Sequence, residues 1–509
     1  MNFKLKNLVA ATLAGSFLMG FGANAMADTT DDIVNALIAK GVLTEEEGAL
    51  LQRGRTGEKE AADKKKESAV SAKYKDGLSF ESGDGKFKAA INGRVHTDYR
   101  IFDYNEGKNN ASILAATTNS IPTTATQNQS QLSDGFELRR ARLGFKASWK
   151  DYYEGEVVTD LTDGSALIDV GYVNIAWWKP VQFRVGIFKM PMNLEELTSS
   201  NNIDFMERSF VNGLAPAKEI GAMVHGSPFT GVTYALALSN GNGKTRETEL
   251  REDGKDVIGR VTANFAEIMG NKTAVYHVGA SFSQGDQYLS SAAGTAIGFG
   301  SARTEGRGAT FMTGPSLTGG TNRELDRSRV GLEGAVAYGP FKAQAEWMKL
   351  SNEFATTVRS YDLDTSNWYA EALWTITGEN YADAYKGGAF GSLKPKNDFD
   401  PSGFKGGLWE VGVRFSQFDA SDYNTTAMGQ GVVGGLADAG VTTKARGFAK
   451  ADAWTLGLKF LPTANTRLML NYVNTNFNDV IGGATGGLVI NNERVDSEKA
   501  LNMRAQWMF

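Results

Sequence analysis

The sequence predicts an all-β protein, a transmembrane antiparallel β-barrel of about 16 strands preceded by a short helical periplasmic segment. Short stretches in which polar and apolar side chains alternate recur from residue 86 to the last residue, which indicates strands with one apolar face and one polar face. Tight turns alternate with long loops, as in outer-membrane barrels. The N-terminus resembles a secretory signal, so we expect the protein to leave the cytoplasm.

Composition excludes several other classes of protein. A length of 509 residues would suit three soluble domains, but the chain has 59 Gly, 10 Pro, 10% aromatic residues and no Cys. Many glycines with few prolines and many aromatics argue against collagen-like or disordered chains. Without Cys and with only three His, metal, cofactor and thiol chemistry are not expected. The net charge of −5 gives no reason to expect nucleic acid as a partner.

Residues 1–27 are predicted to be a removed signal peptide. Two lysines precede an apolar run over residues 8–21, and Ala25-Met26-Ala27 is the small-residue pattern of a cleavage site before Asp28. A membrane anchor is the alternative, but the run contains two glycines and is shorter than the ~20 apolar residues that a spanning helix needs.

Residues 28–52 have helical periodicity and predict a helical hairpin. Gly41 suits the end of its first helix, and Thr44 to Glu47 form a capping box that starts the second. Residues 53–80 are rich in charges of both signs and predict a solvated linker. A helical stem that joins three chains is the alternative, although no sustained heptad is present. Residues 81–509 are assigned to the barrel.

The first strand shows the alternation most clearly, with Phe87, Ala89 and Ile91 on one face and Lys88 and Asn92 on the other. Sixteen segments share this pattern, with a tolerance of two, and this even number matches a barrel. The segments are 86–101, 138–149, 153–161, 167–178, 181–188, 219–226, 231–239, 256–265, 274–283, 327–338, 341–350, 367–377, 409–416, 452–460, 466–473 and 501–509.

The links between strands predict short turns on one rim and long loops on the other. Tight links such as 338–340 and 461–464 alternate with the long segments 103–135, 284–326, 378–405 and 417–450. Trp and Tyr cluster at strand ends, as in the aromatic girdle of a membrane barrel, although a soluble β-sandwich would use them as core. The last residue, Phe509, is typical of outer-membrane barrels and predicts recognition by the barrel-assembly machinery. Outer-membrane lipid and lipopolysaccharide would then surround the wall.

Several long segments resemble a known family. The matching segments are 136–145 (FELRRARLGF), 186–200 (GIFKMPMNLEELTSS) and 206–209 (MERS), with shorter matches at 331–335, 344–346, 377–379, 409–416 and 504–506. They are similar to the phosphate-selective porin family, porin O/P. The resemblance covers roughly 86–509 and leaves the helical hairpin outside the best-known members.

The resemblance implies a homotrimer of sixteen-stranded porins whose third loop, around 189–215, folds inward to narrow the pore. It also implies a ladder of arginines that draws small anions toward a phosphate site. The residues that match ladder positions are Arg94, Arg139, Arg140 and Arg208.

Three other positions match the surroundings of the phosphate site. Asp169 resembles the carboxylate beside that site, and Ser199 resembles a hydroxyl within it. Glu196 departs from the family, since the phosphate-selective members carry a lysine there. A carboxylate at a constriction repels the phosphate dianion, which counts against phosphate specificity.

The charges on the predicted lumen faces differ in sign from the whole chain. Fourteen positions are basic: Lys88, Arg94, Arg100, Arg140, Arg142, Lys146, Arg184, Arg260, Arg329, Lys342, Arg414, Lys459, Arg467 and Arg504. Nine are acidic: Asp98, Glu154, Glu156, Asp160, Asp169, Glu333, Glu346, Glu371 and Glu410. Basic rings in a narrow passage concentrate anions, so this excess favours anion passage. The alternative for any one arginine is an ordinary salt bridge.

Strand parity turns Arg139 outward, whereas the resemblance places it in the ladder. A β-bulge near the loop end of its strand would resolve the conflict.

These observations predict a passive outer-membrane channel for small anions such as phosphate, with a general or weakly selective porin as the alternative. We expect no enzymatic activity. An outer-membrane hydrolase is a further alternative, because His96 faces the lumen beside Asp98, but no Gly-x-Ser-x-Gly motif is present. A tethering role of the N-terminal hairpin is compatible with transport. The predicted anion pathway comprises Arg94, Arg139, Arg140, Arg142, Arg184, Arg208, Asp169, Glu196 and Ser199.

Overall fold

The computed structural model divides the chain into two compact units, residues 1–70 with 82–84, and residues 71–81 with 85–509. The predicted signal peptide and most of the predicted hairpin and linker lie outside the described residues. The described residues are 38–41, 44–47, 49, 69–74, 77–106, 126–129, 133–162, 167–241, 243–244, 254–288, 296–318, 324–355, 360–424, 441–443, 445–482, 486–490 and 493–509.

The first unit contains the predicted helix signals. Gly41 has a φ of +69° and its N–H donates to the carbonyl of Ile38, which ends a helical turn. The Glu47 N–H donates to Thr44 Oγ1 at 3.2 Å, and the Glu47 carboxylate accepts from the Thr44 N–H at 2.9 Å. The capping box is therefore present.

Within its described residues, the second unit forms a closed antiparallel barrel of sixteen strands. They are β1 Phe87–Glu106, β2 Gly135–Trp149, β3 Tyr153–Asp160, β4 Leu167–Trp178, β5 Val181–Lys189, β6 Lys218–Phe229, β7 Val232–Ser239, β8 Asp256–Asn264, β9 Ala274–Tyr288, β10 Glu324–Tyr338, β11 Phe341–Ala355, β12 Ser360–Thr375, β13 Leu408–Asp419, β14 Arg446–Thr463, β15 Thr466–Val480 and β16 Glu493–Met508. Each strand pairs with the next, and β16 pairs with β1 through Arg504↔Asp98. The sixteen predicted segments are confirmed.

The faces of the strands are inverted relative to a soluble protein. On β10, Val330, Leu332 and Val336 are about half exposed, while Arg329 and Glu333 are buried. This pattern suits lipid outside and polar groups inside, because every backbone polar group of a closed barrel is paired. The soluble sandwich alternative, in which the apolar face would be the core, is therefore wrong. In the described part of the chain, no helix is long and apolar enough to cross a membrane.

One of the predicted long loops lies on the rim that carries the short turns. Turns at 150–152, 179–180 and 339–340 share a rim, and residues 376–407, which join β12 to β13, belong to that same turn rim. The segment 378–405 therefore corrects the expectation that long connections occupy one rim only. Connections alternate between the rims along an antiparallel barrel, so the position of this one is fixed by strand order and not by its length.

Three connecting segments pack inside the barrel. We call residues 190–217 the inner loop, residues 296–318 the arm and residues 376–407 the insert. Met190, Met192 and Val211 of the inner loop pack with Met348 and Tyr369 of the wall. The other two segments also bury aromatic rings, Phe311 in the arm, and Tyr381 and Phe390 in the insert. The apolar core of this barrel thus lies within its lumen.

The arm is held at Gly447, the second residue of β14, which pairs with Met312. Gly447 has a φ of +96°, and a Cβ there would lie 2.0 Å from the carbonyl oxygen of Phe311. We predict that Gly447→Val displaces the arm while the barrel stays closed, because the clash is with the arm's backbone. Limited trypsin digestion of the folded protein should then cleave at Arg307.

Gly135→Ala is the matched control, since a Cβ at Gly135 meets nothing within 4 Å. Equal protection of Arg307 in the native protein and in Gly447→Val would contradict the prediction. A shift in electrophoretic mobility on heating shows that the barrel of each variant has folded.

Candidate anion pathway

Three adjacent strands concentrate positive charge on one side of the lumen. Arg94 of β1 stands opposite Arg142 of β2, and β16 adds Arg504 on the other flank of β1. Alternation along each strand turns these side chains inward. Like charges in such proximity repel, so the cluster needs carboxylates nearby.

The inner loop supplies one of these carboxylates, Glu207. Its Oε1 accepts hydrogen bonds from Arg100 at 2.7 Å, Arg139 at 2.9 Å and Arg504 at 3.0 Å. Burial raises the pKa of Glu207, but Arg139, Arg504 and Arg100 outweigh burial and bring that pKa well below its usual value. Glu207 therefore stays ionised and ties the inner loop to three wall arginines.

Arg139 reaches Glu207 because β2 contains a bulge. His96 of β1 stands opposite Arg140, while the next residue, Thr97, stands opposite Leu138, which leaves Arg139 as the extra residue. The bulge turns the Arg139 side chain toward the lumen. The prediction from simple alternation along the strand, which turned the Arg139 side chain outward, is therefore wrong at this position. The β-bulge that would reconcile alternation with the family resemblance is present.

A second ionic cluster joins the inner loop and the arm to strands β11 and β13 of the wall. The Arg414 guanidinium of β13 contacts Glu305 of the arm at 2.8 Å and Glu195 of the inner loop at 3.3 Å. Burial raises the pKa of Glu195 despite Arg414 and Ser209. Lys342 of β11 pairs with Asp204 of the inner loop at 2.5 Å. The inner loop is thus fixed to the wall by charge at Glu195 and Asp204.

Asp169 stands at the centre of a group of cations. Its carboxylate is 2.6 Å from Lys218 Nζ, 2.7 Å from Arg142 Nη1 and 3.5 Å from Lys244 Nζ. Arg142 also pairs with Asp160 at 2.8 Å. Three cations around one carboxylate leave local positive charge that an incoming anion can use.

The Glu196 carboxylate does not project into open lumen. It is almost completely buried between two cations, with Oε2 3.4 Å from Arg208 Nη1 and Oε1 3.7 Å from Lys189 Nζ. Arg208 and Lys189 also donate to the carbonyl of Thr198, at 2.9 and 3.0 Å. Glu196 therefore occupies the position between two cations that an anion would otherwise take.

The two neighbouring serines differ in their contacts. Ser199 Oγ accepts from the Asn201 N–H at 3.3 Å, which is a local turn contact. Ser200 Oγ, in contrast, accepts from Arg94 Nη1 at 2.9 Å. The structure thus places the hydroxyl of Ser200, and not that of Ser199, on the predicted arginine ladder.

Three predicted arginines form no salt bridge with any carboxylate in the described residues: Arg94, Arg140 and Arg184. Arg140 is only 5% exposed, and its Nε and Nη1 have no hydrogen-bond partner there. The Arg184 guanidinium lies 4.2 Å from the centre of the Tyr172 ring.

The predicted residues fall into separate parts of the lumen. Arg139, Arg140 and Arg208 line a cavity of about 350 Å³ together with Arg303 and Arg307 of the arm. This cavity lies between the inner loop and the arm, which both connect strands at the rim opposite the short turns. We call it the loop-rim chamber.

Arg184 lies in a second cavity of about 520 Å³ at the turn rim, with Lys189, Arg260 and Glu156. We call this the turn-rim chamber. Arg142 and Asp169 pair directly with each other, and neither lines either chamber.

Sequence reasoning missed seven charged residues that organise these clusters: Lys189, Glu195, Asp204, Glu207, Lys218, Lys244 and Glu305. Lys189 and Glu207 lie within the segments that carry the family resemblance. They were missed because the lumen charges were counted only at positions inside the predicted strands. Glu305 lies in a long loop without periodicity, where no sequence signal indicated a partner.

Comparison with known proteins identifies the family. The family model described as phosphate-selective porin O and P matches residues 119–509, which is more than half of the chain. The chain belongs to this family. It is 26% identical over 460 residues to "Porin O" of Pseudomonas aeruginosa, covering 86% of this chain and 92% of that protein.

Two solved structures are similar to the barrel. The anion-selective porin from Comamonas acidovorans has a TM-score of 0.48 at 12% identity, covering 83% of this chain and all of that one. The outer membrane channel DcaP of Acinetobacter baumannii has a TM-score of 0.44 at 10% identity, covering 84% of this chain and 99% of that one. Membership of the porin family, and not these two structures, identifies the chain as a porin of the Gram-negative outer membrane.

We predict that Glu207→Gln lowers the melting temperature of the folded barrel, because the buried Arg100 and Arg504 and the partly buried Arg139 each lose one carboxylate partner. Breaking a buried pair typically costs ~3–5 kcal/mol. The folded pKa of Glu207 lies below its usual value of 4.5, so its contribution is complete above about that pH and is lost as the pH falls further. Melting curves should show a constant gap between native and variant near neutral pH that narrows only in acid.

Glu137→Gln is the matched control. Glu137 pairs with Arg100 and Arg307 at 3.3 Å but is 39% exposed, so its pairs contribute little. Similar melting losses in the two variants would contradict the role assigned to Glu207.

Proposed function

We propose that the protein is a passive channel for small anions, phosphate among them, in the outer membrane. The observation that carries the proposal is the charge of the loop-rim chamber, which five arginines and two glutamates line. Both glutamates, Glu207 and Glu305, are already engaged by wall arginines. The chamber therefore keeps an excess of positive charge.

The same excess recurs farther along the lumen. Arg184, Lys189 and Arg260 line the turn-rim chamber together with Glu156. Arg260 pairs with Glu333 and Lys189 lies 3.7 Å from Glu196, whereas Arg184 forms no salt bridge within the described residues. Within the part of the chain that the structure describes, Arg94 binds the hydroxyl of Ser200 and no carboxylate neutralises its charge. Positive side chains along a narrow passage raise the local concentration of anions and exclude cations. A series of such groups lets an anion enter and leave without tight binding.

Glu196 argues for weak phosphate affinity and a broad set of anions. Because its carboxylate already lies between Arg208 and Lys189, a phosphate must displace it before it contacts both cations. This competition weakens binding and favours exit.

The geometry gives the hydrolase alternative no support. His96 Nε2 lies 3.1 Å from Asn201 Oδ1, and Asp98 pairs with Arg100 and Arg504. A catalytic triad would require a serine hydroxyl bonded to the His and an acid bonded to its other ring nitrogen. In the described residues, His96 Nδ1 has no hydrogen-bond partner.

A homotrimer is part of the proposal. Strands β3 and β7 have eight residues each, fewer than the ~9–11 that a tilted strand needs to cross a bilayer. Contact with neighbouring copies would cover this low part of the wall, as the family resemblance implies. Chemical cross-linking in outer-membrane vesicles should yield a three-copy species.

The remaining expectations also stay proposals. They are removal of residues 1–27 as a signal peptide, a periplasmic hairpin and linker over residues 28–80, contact with lipid and lipopolysaccharide, and recognition of Phe509 by the barrel-assembly machinery.

We predict that Glu196→Gln strengthens the block of chloride current by phosphate in planar bilayers. Removing the competing carboxylate should lower the half-blocking phosphate concentration about tenfold, since a hydrogen bond to a charged group contributes roughly 1.5–3 kcal/mol. Arg94→Gln should raise that concentration, because it removes an unneutralised cation.

Glu154→Gln serves as the matched control, since Glu154 accepts from Asn174 and forms no salt bridge among the described residues. Phosphate block that is the same in the native channel and in Glu196→Gln would remove Glu196 from the pathway. A native channel that prefers cations would overturn the proposed function itself.

A further inference from the structure

The loop-rim chamber has two chemically different walls. One wall carries the guanidinium groups of Arg139, Arg140, Arg208, Arg303 and Arg307. The apolar wall is the name we give to Phe299, Met312, Leu350 and Phe418, and polar side chains such as Thr304 and Asn367 complete the lining. Phe299, Met312 and Phe418 belong to the cluster that packs the arm inside the barrel, and they also offer an apolar solute a contact surface that a hydrated inorganic ion would not use.

Arg140 is the side chain of the basic wall that lacks a partner. It is 95% buried, and its Nε and Nη1 bond to nothing in the described residues. Its neighbours are engaged, since Arg139 binds Glu207 and Arg208 binds backbone carbonyls. A buried guanidinium with free donors is costly, and an oxyanion that accepts from it removes that cost.

The apolar wall is built from interlocking rings. Phe299 packs against Phe354 at 5.1 Å and Tyr423 at 6.3 Å between ring centres. Phe418 packs at 5.2 Å against Phe311, which is fully buried. Rings held in this way form a fixed surface that does not collapse into the chamber.

The size of the chamber fits a small organic molecule. Its volume of about 350 Å³ lies at the lower end of the range for ligand pockets. A bare phosphate ion would leave most of it to water. A molecule with one anionic head and one ring or branched chain would place the head at Arg140 and the body against Phe299.

We propose that the loop-rim chamber binds organic anions that combine a carboxylate or phosphonate head with an apolar, ring-sized body. This inference rests on the proposed anion pathway and names a second class of solute for it. The head is bound by Arg140, and the apolar body is desolvated on the surface formed by Phe299, Leu350 and Phe418.

The test compares two probes with the same head, phenylphosphonate and methylphosphonate, as blockers of chloride current in planar bilayers. The native channel should be half-blocked by phenylphosphonate at a concentration about tenfold lower than by methylphosphonate, because the ring buries apolar surface. Phe299→Ser should weaken block by phenylphosphonate more than block by methylphosphonate and so reduce this preference. Arg140→Gln should weaken block by both probes.

Phe404→Ser is the matched control, since Phe404 is 85% exposed in the insert and does not line the chamber. Leu350→Thr is a second variant of the apolar wall on a barrel strand, in case Phe299→Ser does not fold. A shift in mobility on heating reports folding of each variant.

Equal block by the two probes in the native channel would overturn the chamber assignment and leave the anion channel standing. A phenyl preference that is undiminished in both Phe299→Ser and Leu350→Thr would also overturn it. Cation selectivity of the native channel, in contrast, would contradict the proposed function itself.

Discussion

The interior of this barrel depends on ion pairs between carboxylates of the inward segments and arginines of the wall. Glu207 accepts from three guanidinium groups, and Arg414 is shared by Glu305 and Glu195. Without these carboxylates, the wall cations would repel each other in a space of low dielectric constant. The pairs that position the inner loop and the arm also decide which arginines remain unneutralised. Structure and selectivity therefore have one electrostatic origin.

Lipid outside the barrel determines the rest of the architecture. Apolar side chains face outward, so the polar positions face inward and require their own partners. The inner loop, the arm and the insert provide these partners and add an apolar core within the lumen. Among the described residues, this filling leaves the loop-rim chamber of about 350 Å³ and the turn-rim chamber of about 520 Å³. In both chambers the positive groups outnumber the carboxylates.

Much of the fold could be predicted, because alternation along a strand is a local property of the sequence. All sixteen strands lie where the period of two predicts them. The position of the insert could not be inferred from loop length, and the bulge at Arg139 depends on pairing between strands. The count that gave an excess of five positive charges covered strand positions only. It therefore left out Glu195, Glu196, Asp204, Glu207 and Glu305, which lie in connecting segments without periodicity. Which of the lumen charges are neutralised could be read only from the contacts between the wall and the inward segments.

The central claim is that unpaired arginines give the lumen a positive potential while the whole chain is acidic, with a net charge of −5. The most direct test is the reversal potential of the native channel in a planar bilayer that separates two concentrations of KCl. The account predicts a reversal potential with the sign of the chloride equilibrium potential, because the positive lumen admits chloride in preference to potassium. A reversal potential with the sign of the potassium equilibrium potential would contradict it.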